Sequence, residues 1–153
     1  MMARGCQRWG GCGKVGALQT IGSSFMEGYN FDEWNFLKQR LDDTPVRHFC
    51  REREIWICAI GKNIGREQNG KREMFQRPVL VIRKFGSGIF FGVPLTSTVS
   101  QSDFVLQISG GSFLVLSQMR IFDMRRLIRK TRRLEAREFE IILAQLWHVI
   151  AGK

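Results

Sequence analysis

The stretch Pro78-Val-Leu-Val-Ile-Arg-Lys-Phe-Gly-Ser-Gly-Ile-Phe-Phe-Gly-Val-Pro-Leu95 contains two runs of aliphatic and aromatic residues separated by a turn rich in glycine. β-Branched and aromatic side chains favour strands, and glycine accepts the positive φ angles that tight hairpin turns require. The pattern therefore predicts strands over 78–84 and 88–95, joined into a β-hairpin at Phe85-Gly-Ser-Gly88.

Three further runs of the same character lie on either side of this hairpin. They cover Glu54–Ile60, Asp103–Ser109 and Phe113–Gln118, and Ser109-Gly-Gly-Ser112 supplies a second hairpin turn. Because no helical pattern follows each strand, an antiparallel arrangement is favoured over a parallel one. Five short strands of this kind predict a small, strongly bent barrel.

Apolar residues recur at helical spacing at both ends of the β region. The first set predicts an amphipathic helix from Phe31 to about Leu41, with Asn30 as its N-cap. The second set predicts a helix over about 135–150, and its apolar face is expected to be core or a dimer contact. That face consists of Phe139, Ile142, Leu143, Leu146, Trp147 and Ile150. The predicted fold class is thus mainly β (α+β), with an N-terminal and a C-terminal helix.

The first 25 residues differ in composition from the rest of the chain. They are rich in glycine, carry Arg4, Arg8 and Lys14, and contain no acidic residue. We expect 1–25 to be a disordered basic tail. Two interpretations of it remain open: an arm that touches nucleic acid, or a segment read from an upstream start codon, with true initiation at Met26. Residues 26–153 are then predicted to form a single domain.

The charge balance points to a polyanionic partner. The chain of 153 residues holds 24 Lys and Arg against 14 Asp and Glu, a formal net charge of +10. Such a balance is typical of proteins that meet nucleic acid or a negative surface, although ordinary solubility charge is the alternative. The basic residues are densest over 119–133, where seven of the fifteen residues are Arg or Lys.

Neither a metal site nor a membrane span is indicated. The four cysteines form no Cys-x-x-Cys pair, and His48 and His148 lie far apart in sequence. We therefore expect no zinc site and no other cofactor. No secretory signal introduces the chain, so reduced thiols and a cytoplasmic protein are predicted. No apolar run approaches the roughly 20 residues that a transmembrane helix needs.

The polar loop before the hairpin, residues 65–77, carries candidate catalytic residues. The sequence has no Walker A loop, no Gly-x-Ser-x-Gly elbow and no His-Glu-x-x-His pair. RNA, however, carries its own nucleophile, the ribose 2′-hydroxyl, so its cleavage needs only in-line positioning, a proton acceptor and cationic donors. Arg77 suits the cationic role, Glu67 could accept a proton, and Thr96 could donate a hydrogen bond. The alternative for each residue is purely structural, as a strand-start ion pair or a turn cap.

Several motifs occur together in a fixed order. They are Glu54-Ile-Trp-Ile-Cys, Gly65-x-Glu67-Gln68-x-Gly70, Arg77-Pro78-Val-Leu-Val, Pro94-Leu-Thr96-Ser, and Ser117-Gln118-x-Arg120-x-x-Asp123-x-x-Arg126-Leu127. In this order they closely resemble the MazF/PemK family of toxin endoribonucleases, over roughly residues 50–150. No single motif is specific, but the combination is.

The resemblance implies both a fold and an activity. The fold is a small SH3-like barrel of the MazF/CcdB type, and the activity is metal-independent, sequence-specific cleavage of single-stranded RNA or mRNA through the 2′-hydroxyl, which inhibits translation. Implied partners are the RNA substrate, a cognate antitoxin and a second copy in a homodimer, with operator DNA reached only through the antitoxin complex. Family roles place catalysis on Arg77 and Thr96, and on Glu67 as an acid or base. We expect RNA contacts from Gln68, Lys71, Arg72, Ser97, Gln118 and Arg120.

One spacing departs from the family pattern. Glu67 and Arg77 are ten positions apart, with Lys71–Gln76 intervening where one residue is usual. Arg77 keeps its Pro78 neighbour, whereas the position of Glu67 is less well defined. We expect Lys71–Gln76 to be a mobile flap that helps to select RNA.

Two other functions remain compatible with the residues. A non-catalytic nucleic-acid-binding module would use the net charge and would stack bases on Trp56, Phe90 and Phe91 if these were exposed, although burial is expected at strand positions. A toxin that poisons DNA gyrase is the other possibility. The Arg77 and Thr96 motifs argue against it, because such a poison has no need of them.

Overall fold

The computed structural model describes residues 31–72, 74–98 and 104–152. Its helices are α1 (Phe31–Asp42) and α2 (Ala136–Ala151), and its strands are β1 (Glu54–Ala59), β2 (Gln76–Phe85), β3 (Ile89–Thr96), β4 (Val105–Ile108), β5 (Ser112–Val115), β6 (Arg120–Asp123) and β7 (Leu127–Arg133). Single 3-10 turns, Leu116–Gln118 and Met124–Arg126, precede and follow β6. The predicted tail 1–25, the Asn30 cap and the strand start at Asp103 lie outside the described residues.

The strands form one antiparallel sheet in the order β4-β5-β3-β2-β1-β7, and β6 pairs with β3. The first half of β3 pairs with β6 and its end pairs with β5, so β3 belongs to two parts of a bent sheet. The expected α+β class with antiparallel strands is confirmed. Within the described residues the pairings do not close the barrel, since β4 and β7 stand at the two ends of the order.

The predicted number of strands was wrong, because residues 119–133 contribute two strands beyond the five expected. Phe122 in β6 and Leu127 in β7 are buried, while the basic residues around them are exposed (Arg129, Lys130 and Arg133) or partly buried (Arg120, Arg125, Arg126 and Arg132). A high density of arginine conceals this pattern in the sequence. The strand expected over Phe113–Gln118 is also shorter, since it ends at Val115 and continues as a 3-10 turn.

Both predicted hairpins are present. Gly86 has φ +59° in the turn between β2 and β3, and Gly110 and Gly111 have φ +78° and +73° between β4 and β5. Glycine adopts these left-handed conformations without the steric strain that a Cβ atom brings. The glycine positions therefore determine where the chain reverses.

The core divides between the two faces of the sheet. On one face Phe139, Ile142 and Leu146 of α2 pack on buried residues of β1, β2, β3 and β5. On the other, Trp56 and Phe90 are buried, as expected. Phe91 is only partly buried and packs on the first face.

The predicted apolar face of α2 divides into a buried half and an exposed half. Phe139, Ile142 and Leu146 belong to the core, while Leu143, Trp147 and Ile150 are exposed, Trp147 to 66%. Neither helix in the described part of the chain is long and apolar enough to cross a membrane.

Helix α1 covers the end of the sheet that leads into the polar loop. Its buried residues Trp34 and Leu37 pack with Ala59 and Phe75. A Cβ atom at Gly61 would lie 2.4 Å from the Trp34 ring, so glycine is required there for the close approach. In this way α1 contacts both ends of the segment that joins β1 to β2.

Candidate active site

Arg77 lies near the start of β2, where Pro78 follows it in the strand. Its Nε donates a hydrogen bond to the Asn69 carbonyl oxygen at 2.7 Å, and its Nη1 donates to the Leu95 carbonyl oxygen at 3.1 Å. These bonds fix the plane of the guanidinium between the polar loop and the end of β3. Burial lowers the pKa of Arg77 from its ordinary value, and no carboxylate forms an ion pair with it among the described residues.

Arg77 contributes to an open cleft of about 540 Å³. The cleft lies where the polar loop, the starts of β2 and β4, the end of β3 and the chain after β5 meet. Its lining residues are Arg66, Gln68, Lys71, Arg77, Thr96, Thr98, Val105, Val115, Ser117 and Gln118. Three cations and several hydroxyl and amide groups therefore face one space.

Thr96 is the last residue of β3 and is partly buried. Its Oγ1 accepts a hydrogen bond from the Thr98 backbone N–H at 3.2 Å. Because a hydroxyl has one donor and two acceptor positions, Thr96 keeps its donor for another group. The strand pairing of Thr96 with Phe113 fixes its backbone at the edge of the cleft.

Hydrogen bonds from side chains shape the polar loop. The Asn63 amide nitrogen donates to the Gln68 carbonyl at 2.6 Å, and the Asn69 side-chain oxygen accepts from the Asn63 backbone N–H at 2.6 Å. Across the cleft, Gln118 Oε1 accepts from the Gln68 backbone N–H at 3.2 Å, and Gln118 Nε2 donates to the Arg66 carbonyl at 3.4 Å. The loop is thereby tied to the 3-10 turn after β5.

One amide group in this loop has an unused acceptor. The Oε1 atom of Gln68 is buried and has no hydrogen-bond partner among the described residues. A buried acceptor without a partner is unfavourable, so rotation of this amide toward a donor on a ligand would be favoured.

The structure brings five of the nine predicted site residues to the cleft: Arg77, Thr96, Gln68, Lys71 and Gln118. Glu67 is exposed, its Oε2 accepts from the Ile64 backbone N–H at 3.2 Å, and it is not among the lining residues. Arg72 and Ser97 are exposed beside the cleft but do not line it, and Arg120 lines a different pocket. The functional roles of all nine stay predictions.

Three lining polar residues were not predicted as site residues from the sequence: Arg66, Thr98 and Ser117. Asn69, whose carbonyl oxygen accepts from Arg77, was not predicted either. Arg66, Ser117 and Asn69 each stand next to a predicted site residue, and that adjacency was the signal available in the sequence. Thr98 lies two residues after the end of β3, and only the path of the chain there brings it to the cleft.

The inserted segment Lys71–Gln76 is held at both ends. Lys71 and Gln76 exchange backbone hydrogen bonds of 2.8 Å, and the Phe75 carbonyl accepts from Ile60 at 2.9 Å. Phe75 is 1% exposed, and its ring centroid lies 5.5 Å from that of Trp34. Movement of this segment as a flap stays a prediction, and movement that included Phe75 would have to remove its side chain from the core.

The cleft suits the stabilisation of a developing negative charge. Guanidinium and ammonium groups bind phosphate oxygens, and hydroxyl and amide groups add neutral donors. Within the described ranges, no group of three or more His, Cys, Asp or Glu side chains is placed to hold a metal ion.

Comparison with known proteins gives a family. The family model for PemK-like, MazF-like toxins of type II toxin–antitoxin systems matches residues 51–150. The chain belongs to this family. The family domain thus includes all seven strands and most of α2, whereas α1 lies outside the matched residues. No curated protein matches the chain.

Solved structures share the fold. An endoribonuclease of a mycobacterial species, in complex with its cognate antitoxin, has a TM-score of 0.54 and 10% sequence identity, and the match covers 69% of this chain and 98% of that chain. MazF from Deinococcus radiodurans has a TM-score of 0.53 and 19% identity, over 68% of this chain and 98% of that chain. At 10% and 19% sequence identity, these structural matches show only that the fold is shared.

Proposed function

We propose that this family member is the toxin of a type II toxin–antitoxin system and acts as an endoribonuclease that cleaves single-stranded RNA without a metal ion. The observation that carries the proposal is the presence of Arg77 and Thr96 in one cleft, where no carboxylate of the described residues pairs with Arg77. The comparison structures described as endoribonucleases support the same activity at the level of the fold.

In the proposed reaction the substrate supplies the nucleophile. The ribose 2′-oxygen attacks the adjacent phosphorus and loses its proton, while the bond from phosphorus to the 5′-oxygen breaks and that oxygen gains a proton. The products are a 2′,3′-cyclic phosphate, or its opened form, and a 5′-hydroxyl. Arg77 would bind the non-bridging oxygens as their charge grows, and the Thr96 hydroxyl would donate a further hydrogen bond.

Glu67 is the proposed proton acceptor. Its carboxylate bonds to the Ile64 backbone N–H rather than facing the cleft. To accept the 2′-hydroxyl proton, Glu67 would have to leave that bond when RNA binds. Because the side chain is exposed, such a rotation breaks only one hydrogen bond in the described structure.

The other polar groups of the cleft would position the strand. Lys71 and Arg66 would bind phosphates, and the amides of Gln68 and Gln118 would bind base edges, the former through its unpaired oxygen. Arg72, Ser97 and Arg120 would extend this surface beyond the cleft. An unpaired strand is favoured as substrate because its bases are free to reach such groups.

The proposed partners follow from the family. A cognate antitoxin would cover the cleft and bring acidic residues to the basic stretch 119–133. A homodimer would cover the exposed apolar residues Leu143, Trp147 and Ile150 of α2. Operator DNA would be bound only through the antitoxin complex, and RNA cleavage in the cytoplasm would inhibit translation.

The decisive experiment is an RNA cleavage assay in excess EDTA. Purified protein should cleave single-stranded RNA, and Arg77→Ala should lower the rate on the order of 100-fold or more, since one transition-state donor is lost. Arg83→Ala is the matched control, because Arg83 is an exposed arginine on the same strand and outside the cleft. Binding of RNA without turnover, or full activity in Arg77→Ala, would overturn the proposal.

A further inference from the structure

A second, smaller pocket of about 160 Å³ lies between α1, the turn after β1 and strand β6. It is lined by Trp34, Lys38, Ile60, Asn63, Arg120, Ile121, Phe122 and Arg126. None of these residues lines the cleft that holds Arg77. The pocket therefore presents three further cations in a separate place.

The two arginines are held in fixed planes. Arg120 lies 4.9 Å from the centroid of the Phe122 ring, and Arg126 lies 5.3 Å from that of Trp34. Each donates one hydrogen bond to a backbone carbonyl within the described structure, Arg120 to Ile60 at 2.9 Å and Arg126 to Ala59 at 3.0 Å. The remaining guanidinium N–H groups are left for other acceptors.

No carboxylate neutralises this pair by direct contact in the described part of the chain. Asp123 acts on Arg126 only at a distance, because its own oxygens are bound by Arg125 at 2.9 and 3.0 Å. Glu67 acts on Arg120 at a distance as well, and it bonds to the Ile64 backbone. The positive charge in the pocket is therefore compensated only at a distance, by Asp123 and Glu67.

Burial lowers the pKa of both arginines, and repulsion by Arg126 lowers the pKa of Arg120 further. Two partly buried cations that repel each other and have no carboxylate in direct contact among the described residues are stabilised by a bound anion. Lys38 adds a third cation from the exposed side of α1.

We propose that this pocket binds a phosphate group, held by Arg120 and Arg126 and closed on one side by Lys38. Two guanidinium planes and an ammonium present many donors to one small space, and phosphate has enough oxygens to meet them. Two sources can supply the phosphate group. One is a phosphate of the RNA strand other than the phosphate that is cleaved, and the other is a free phosphate ion. The site is independent of the reaction proposed for Arg77.

The pocket is a feature of this chain's own N-terminal helix. Trp34 and Lys38 belong to α1, which precedes the residues matched by the family model. Asn63 connects the pocket to the cleft. It lines the pocket, and its amide donates a hydrogen bond to the carbonyl of Gln68, which lines the cleft. A phosphate bound here would lie directly behind the polar loop of the active site.

The direct test is titration with inorganic phosphate, followed by NMR of the arginine side-chain N–H groups. Saturable shifts are expected for Arg120 and Arg126. Arg126→Gln should weaken phosphate binding about tenfold, because a charged hydrogen-bond donor is lost. Lys38→Gln should weaken it about threefold, as expected for a more exposed charge.

A matched control is Lys84→Gln, which removes the same charge from an exposed position of β2 that lines neither pocket. It should leave phosphate binding unchanged. Arg126 also contacts Trp34 and Ala59, so its variant could lose its fold. In that case the Lys38→Gln variant, whose side chain is exposed, is the test, and circular dichroism confirms that this variant is folded.

A second arm uses a 2′-O-methyl RNA oligonucleotide, which cannot be cleaved, to identify the source of the phosphate. If RNA is the source, Lys38→Gln weakens oligonucleotide binding more than Lys84→Gln does, and inorganic phosphate competes. If a free ion is the source, only phosphate binding responds to Lys38→Gln. Absence of saturable shifts at both arginines, together with equal oligonucleotide affinity in the two lysine variants, would overturn the proposal and leave the Arg77 assay unaffected.

Discussion

The hydroxyl of Thr96 differs from the donors Arg66 and Lys71 of the cleft because a strand end fixes its position, whereas a loop carries those two residues. A donor held by the sheet does not have to be ordered when substrate binds, so it can contribute selectively to the transition state. Its contribution is separable from that of Arg77, since the hydrogen bonds of the guanidinium in the described structure go to Asn69 and Leu95, and Thr96 pairs with β5.

Thr96→Val removes this hydroxyl while keeping the shape and strand propensity of the side chain. We expect the RNA cleavage rate to fall about tenfold, the equivalent of one lost hydrogen bond, with the thermal midpoint nearly unchanged. Single-turnover cleavage kinetics would measure the effect, and Thr96→Ser should restore most of the rate. Equal rates for the valine variant and the unmodified protein would assign Thr96 a structural role only.

At the scale of elements, α1 functions as a support for the loop that forms the active site. Trp34 is 6% exposed and packs against Phe75, Gly61 and Arg126, three parts of the chain that are distant in sequence. Phe36, on the outer side of the same helix, is 62% exposed. One short helix thus provides a buried aromatic residue and an exposed one for comparison.

Trp34→Ala should lower the free energy of unfolding by about 3 kcal/mol, because it leaves a cavity between α1 and the sheet. Phe36→Ala should change it by less than about 1 kcal/mol, because little of its surface is removed from water by folding. Urea denaturation followed by circular dichroism would compare the two. Similar values for both variants would mean that α1 is not packed against the domain as described.

At the scale of the whole molecule, two groups of the 24 Lys and Arg residues are clustered. Arg66, Lys71 and Arg77 line the cleft, while β6, β7 and the turn between them carry the dense basic stretch 119–133. Binding of a polyanion to such surfaces releases counterions, so the affinity should depend on salt.

For an uncleavable 2′-O-methyl RNA, three cleft cations that neutralise phosphates predict a slope of log affinity against log salt of about −2. Affinity should therefore weaken on the order of 20-fold between about 50 and 200 mM salt. Fluorescence anisotropy at several salt concentrations would measure this, and Arg77→Gln should make the slope shallower by somewhat less than one. A slope near zero would contradict phosphate recognition by these residues.

Much of the fold was determined by the sequence alone. Apolar runs specified β1, β2 and β3, glycines at 86, 110 and 111 specified two hairpins, and periodicity specified both helices. These are local properties, because a turn or a strand preference depends on residues close in the chain. The motif order likewise identified the family and singled out Arg77 and Thr96.

Only the tertiary structure decided which residues share a site. Gln68 and Gln118 are bonded although 50 positions separate them, and Arg120 and Arg126 meet Trp34 and Lys38 of a helix far earlier in the chain. Sheet register and helix packing determine such contacts, and neither is encoded by local pattern. For the same reason β6 and β7 were missed, since their arginine-rich sequences become strands by pairing with β3 and β1.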